Sequence, residues 1–80
     1  MTIEILAFGV TKDIVGGTLL NFEIESGSSV KDLKEKLQQT YPKMRELKSL
    51  LIAVNEEYGN EEYILTERDE IALIPPVSGG

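Results

Sequence analysis

The residues of this chain best placed to do chemistry are its last six, Pro75-Pro76-Val77-Ser78-Gly79-Gly80. Two prolines fix φ and lack backbone donors, so the segment leaves any sheet extended and stiff. Gly79 and Gly80 cap no helix and turn no later strand, the usual reasons for a glycine pair. A thin terminus remains, one that a partner can approach closely, and it ends in the α-carboxylate of Gly80. That carboxylate is the candidate reactive group, and Pro75, Pro76, Val77, Ser78 and Gly79 are the strip that delivers it. A frayed end is the competing reading, since most chain ends are poorly tied down.

Other reactive side chains are few. The 80 residues include no Cys and no His, which excludes a thiolate nucleophile, an imidazole base, a disulfide and the usual zinc site. Glu56, Glu57, Glu61 and Glu62 lie around Tyr58-Gly59-Asn60, and carboxylates can hold hard cations. Such sites need convergent oxygens, which nothing in this spacing enforces. The stretch reads as a solvated loop and no metal site is expected. A net charge of -6 opposes binding to nucleic acid or anionic membranes, which need basic patches. A basic protein surface is the more natural partner. With no leader pattern and no run of membrane-spanning length, a cytoplasmic protein is expected. The 41 % hydrophobic content suits one small globular domain, residues 1–74, followed by the tail 75–80.

The elements that must hold this tail can be read in order. Thr2 to Phe8 is a strand with Ile3, Ile5 and Ala7 on one face and Glu4, Leu6 and Phe8 on the other. Gly9 to Gly17 reads as a loop. Thr18 to Glu25 alternates, with Leu20, Phe22 and Ile24 inward and Leu19, Asn21, Glu23 and Glu25 outward, and should pair with the first strand as an antiparallel hairpin. Ser29 is placed to N-cap a helix, with Asp32 completing a capping-box-like pair. Val30, Leu33, Leu37 and Tyr41 then recur at helical spacing, and Pro42 ends the helix near Thr40. Its lysines read as a solvated face.

The apolar run Ser49 to Val54 suits a strand covered on both sides. Tyr63 to Leu65 suits a short strand, Thr66 to Asp69 a turn, and Glu70 to Ile74 the last strand. The order predicts an α+β fold with one helix covering one face of the sheet. The other face stays open, and Leu6, Phe8 and Ile74 lie there beside the root of the tail, a candidate protein interface.

Four stretches, ILAFGVTKDIVGG, SVKDLKEKL, LLIAVN and LTERDEIALIPPVSGG, together resemble the ubiquitin-like β-grasp sulfur carriers that serve as small subunits of molybdopterin synthases. The likeness spans essentially the whole chain, and the terminal Pro-Pro-Val-Ser-Gly-Gly is its most specific part. It implies a mixed β-grasp sheet with LLIAVN on a central strand. Arg68 stands where many relatives have glycine; a positive φ there would strain it by on the order of 1 kcal/mol, unless the turn differs. The resemblance also implies a chemistry. An E1-like adenylyltransferase uses ATP to convert Gly80 into an acyl-adenylate, and sulfur from a donor system displaces AMP to leave a thiocarboxylate. The tail, able to reach about 20 Å when extended, then enters the active site of the large subunit and donates sulfur to cyclic pyranopterin monophosphate. Two donations complete the dithiolene. On this reading the chain binds no cofactor, works in a heterotetramer and is no enzyme on its own, the catalytic residues lying on the large subunit. By resemblance Phe8, Tyr58 and Ile74 are apolar contacts to both partners, although Tyr58 could equally pack on its own sheet. Three alternatives remain at this stage: a sulfur carrier for thiamine or tRNA thiolation, a ubiquitin-like modifier, and a plain interaction domain using Leu6, Phe8 and Ile74.

Overall fold

A computed structural model describes residues 1–47, 49–57 and 60–76. Strand β1 (Thr2–Ala7) and strand β2 (Leu19–Glu23) form the expected antiparallel pair, with Ile3 opposite Phe22 and Ile5 opposite Leu20. The segment between them is not a plain loop. It contains a short helix, α1 (Val10–Val15), which starts after Gly9 and ends at Gly16 in the left-handed conformation, φ 86°. The N–H groups of Gly16 and Gly17 both donate to the Lys12 carbonyl at 3.0 Å, satisfying an end that a side-chain-bearing residue would close at greater cost.

The main helix, α2 (Val30–Thr40), forms as its caps dictate. Ser29 Oγ accepts from the Asp32 N–H at 3.2 Å, and Asp32 Oδ2 accepts from the Ser29 N–H at 3.0 Å. Val30, Leu33 and Leu37 are buried. Beyond Tyr41, Pro42–Glu46 forms a 3₁₀ turn that drives Met44 into the core at 0 % exposure.

Strand β3 (Leu51–Val54) and strand β4 (Ile71–Ile74) complete a four-stranded sheet in the order β2-β1-β4-β3. β4 is parallel to β1 and antiparallel to β3. β3 is therefore an edge strand, not the central one, and Leu51 is 45 % exposed, so its cover is one-sided there. Tyr63 to Leu65 does not reach strand length; Ile64 makes one isolated antiparallel bridge to Ser29. Arg68 is not among the residues with positive φ, so its turn carries no left-handed strain.

One core fills the space between the sheet and α2. Ile3, Ile5, Phe22, Leu33, Leu37, Met44, Ile52, Ile71 and Leu73 all belong to it. Each fully buried aliphatic side chain contributes about 1.5–3 kcal/mol, opposed by the conformational entropy of an ordered chain. A domain this small has few such residues to spare.

Candidate functional site

Because β1 and β4 run parallel with Ala7 opposite Leu73, they leave the sheet at the same end. One step further, Phe8 comes level with Ile74 and Gly9 with Pro75. The sequence placed Leu6, Phe8 and Ile74 on the open face, and the register brings them together. Phe8 is 45 % exposed, while Leu6 and Ile74 are half-buried.

The apolar surface is wider than those three residues. Leu19 of β2 is opposite Leu6, Leu6 is opposite Ala72, and Ala72 is opposite Ala53. This is an apolar row across all four strands. Leu51 of β3 is opposite Ile74, which extends the next row, nearer the tail. Leu19, 54 % exposed, had a legible signal: it is the only leucine at an outward position of its strand.

The corner after β1 is held firmly. Thr11, fully buried, donates its hydroxyl proton to the Phe8 carbonyl and accepts from the Phe8 N–H at 2.9 Å. Gly9 between them has φ 56° and ψ -134°. A Cβ on Gly9 would meet Pro75 Cγ at 2.9 Å, closer than non-bonded carbons sit. The first proline of the tail therefore rests against a bare backbone. Pro75 and Pro76 are half-buried. Val77, Ser78, Gly79, Gly80 and Tyr58 lie outside the described residues.

The other end of β4 is built differently. Asp69 Oδ1 accepts from Asn55 Nδ2 at 2.9 Å and from the Tyr63 hydroxyl at 3.0 Å, and Asp69 Oδ2 accepts from the Thr66 N–H at 2.8 Å. Asn55 also binds both backbone groups of Glu70: its N–H donates to the Glu70 carbonyl at 2.7 Å, and its Oδ1 accepts from the Glu70 N–H at 3.0 Å. Burial pushes the Asp69 carboxyl up, but hydrogen bonds from the Thr66 backbone, Asn55, Tyr63 and the Thr66 hydroxyl outweigh it and hold the group below its ordinary range. The hydrogen bond to Asp69, with some burial and the nearby negative charge, raises the Tyr63 phenol.

An open cleft at this end is lined by Ile52, Val54, Asn55, Glu57, Asn60 and Tyr63. Among the described residues no group of three or more His, Cys, Asp or Glu could hold a metal ion. The chemistry available to the described structure is docking through an apolar sheet face and presentation of a tail.

Comparison with known proteins agrees with this arrangement. A model of the ThiS family matches residues 5–80. The molybdopterin synthase sulfur carrier subunit of Arabidopsis thaliana is 35 % identical over 79 residues, covering 98 % of this chain and 82 % of the relative. Among solved structures, a complex of subunits 1 and 2 of the molybdopterin-converting factor from Helicobacter pylori contains a chain 27 % identical, with TM-score 0.66 and full coverage of both chains. SAMP1 from Haloferax volcanii has TM-score 0.80 at 22 % identity over 100 % of both chains, a likeness of fold alone.

Proposed function

The chain belongs to the ThiS family, and we propose that it is the sulfur carrier subunit of a molybdopterin synthase. The observation that carries this reading is the shared exit of β1 and β4, which sets an exposed apolar face and the root of a Pro-Pro tail side by side. Relatives with that name cover nearly the whole chain, and the family match runs through Gly80.

In this function the protein divides into a β-grasp body, residues 1–74, and a reactive tail, residues 75–80. A carboxylate is a poor electrophile. An E1-like adenylyltransferase joins the Gly80 carboxylate to the α-phosphate of ATP, releasing pyrophosphate. Sulfur from a donor then attacks the acyl carbon, the C–O bond to AMP breaks, and a thiocarboxylate remains. Its sulfur is the better nucleophile, and it is passed to cyclic pyranopterin monophosphate in the active site of the large subunit. Gly79 and Gly80 keep the tail narrow enough to thread that site.

The body supplies binding energy. Leu6, Leu19, Phe8 and Ile74 cover both the activating enzyme and the large subunit in turn, and desolvating each is worth up to about 1.5–3 kcal/mol before the rigid-body entropy of association is subtracted. Pro75 and Pro76 restrict the free tail, so less entropy is lost when it is inserted. Catalytic groups belong to the large subunit, with which the chain assembles into a heterotetramer in the cytoplasm. No helix among the described residues is long and apolar enough to cross a membrane.

The test is the intact mass of the protein after incubation with ATP, the cognate adenylyltransferase and a sulfur donor. Replacement of one Gly80 oxygen by sulfur is expected, followed by loss of that sulfur when the large subunit and pterin precursor are added. A modified chain that gives its sulfur only to a thiamine or tRNA acceptor would move the protein to another pathway. Gly80 recovered in branched peptides on other proteins would make it a modifier, and an unaltered carboxylate would leave only an interaction domain.

A further inference from the structure

The parallel exit of β1 and β4 puts Gly9 directly under the first residue of the tail. Three observations meet there. Gly9 has φ 56° and ψ -134°, a combination L side chains rarely adopt. Its missing Cβ would come within 2.9 Å of Pro75 Cγ and 4.0 Å of Pro75 Cδ. The residue before it cannot readily give way, because the buried Thr11 hydroxyl binds both backbone groups of Phe8, and the Lys12 N–H holds the Gly9 carbonyl at 3.1 Å.

We propose that Gly9 is a positioning residue for the tail: its bare backbone is the seat against which Pro75 packs, and that seat sets the direction in which Gly80 is delivered. The role rests on the sulfur-carrier reading for its purpose but not for its geometry. The φ of Pro75 is fixed by its ring, so a displacement at its Cγ is passed to the residues that follow instead of being absorbed by a rotation. β4 cannot shift to compensate, since it is hydrogen-bonded on both sides. A side chain at position 9 must therefore push the tail root away from the end of β1. Misplacement of about 1 Å is enough to slow a positioned reaction severely.

The variants are Gly9→Ala, Pro75→Ala and the two combined. Removing the proline ring removes the atom that the new methyl meets, so the combination separates tail contact from local strain. The chain has no cysteine, so nitroxides can be attached uniquely at Glu35→Cys on α2 and Ser78→Cys in the tail, and their distance distribution measured by pulsed electron resonance on the free protein. Gly9→Ala is expected to shift and broaden that distribution, and to lower kcat/KM for sulfur transfer by the unlabelled, thiocarboxylated chain roughly tenfold. The double variant is expected to match Pro75→Ala alone in both readouts, while its thermal midpoint still carries the strain of alanine at position 9. An unchanged distribution in Gly9→Ala, or effects of the two substitutions that simply multiply, would overturn the proposal. Distances that shift as expected in a chain that never acquires sulfur would uphold the seat and reject the sulfur-carrier reading.

Discussion

The two ends of β4 are opposites. Before Ile71, the chain is welded by one carboxylate and one amide: Asp69 gathers Asn55, Tyr63 and Thr66, and Asn55 pairs with the backbone of Glu70. After Ile74, two prolines offer no N–H at all, and the contact that remains is a ring against a glycine. A short strand with one end fixed by directional bonds and the other left to a steric seat is a stiff mount for a free tail. Satisfied polar networks give geometry that resists change, whereas a seat made by an absent Cβ guides the chain without holding it.

The largest effect expected from breaking this contrast is chemical. Deleting Gly80 removes the reacting carboxylate, so thiocarboxylate formation should fall to zero by intact mass while the thermal midpoint stays where it was. A lower midpoint would mean that the tail is part of the fold.

At the welded end, Asp69→Ala strands the donors of Asn55, Tyr63 and Thr66. The cost should be about 2 kcal/mol, roughly 10 °C in the midpoint of a domain this size, read by thermal or urea unfolding. The same network predicts a pH dependence. The folded Asp69 carboxyl lies below its unfolded range, so the unfolded chain binds the proton more readily. Its stabilisation is present above about pH 4 and is lost as pH falls through the folded value. Asp69→Asn should flatten that part of the acid limb. Tyr63 has the opposite sign: its raised phenol adds stability that persists below about pH 10 and disappears as pH rises through the folded value.

At the free end, Phe8→Ala and Ile74→Ala should weaken binding to the large subunit by roughly tenfold each, on the order of 1.4 kcal/mol, with a smaller loss of stability. Leu19→Ala should behave likewise, since Leu19 sits in the same apolar row. Equal losses of affinity and stability, measured by calorimetry and thermal unfolding on the same variants, would assign these side chains to the core. The smallest effect concerns Glu4 and Glu70, which stand level on the parallel pair one step before Ile5 and Ile71. Like charges in that arrangement cost a few tenths of a kcal/mol. Glu4→Gln should therefore raise the midpoint by about one to three degrees.

Much of the mount was legible in residue order. Ser29 and Asp32 mark the start of α2 and Pro42 its end, because capping and the restriction before proline act within a few residues. Alternation in β1 and β4 separated Ile3, Ile5, Ile71 and Leu73 from Leu6 and Ile74, since a strand has only two faces. Helix α1 was not legible. Its six residues are too few to display a period, and it is specified by the Thr11 hydroxyl and the left-handed Gly16, which look like ordinary loop residues until they close on Phe8 and Lys12. The Asp69 hub was equally hidden, because Asn55 and Tyr63 lie far from it in sequence and meet it only when the turn before β4 folds over the end of β3.

The sequence by itself therefore determined the reactive chemistry and the local geometry: no His or Cys, a stiff Pro-Pro root, a bare Gly-Gly end, one capped helix and two-faced strands. Those properties belong to single residues or to neighbours a turn apart. Tertiary structure alone decided that β4 lies beside β1 in parallel, and with that register came the row from Leu19 to Ala53, the seat of Pro75 on Gly9 and the weld at Asp69. Each joins residues distant in the chain, and which of them meet depends on how the whole sheet pairs once α2 has covered one of its faces.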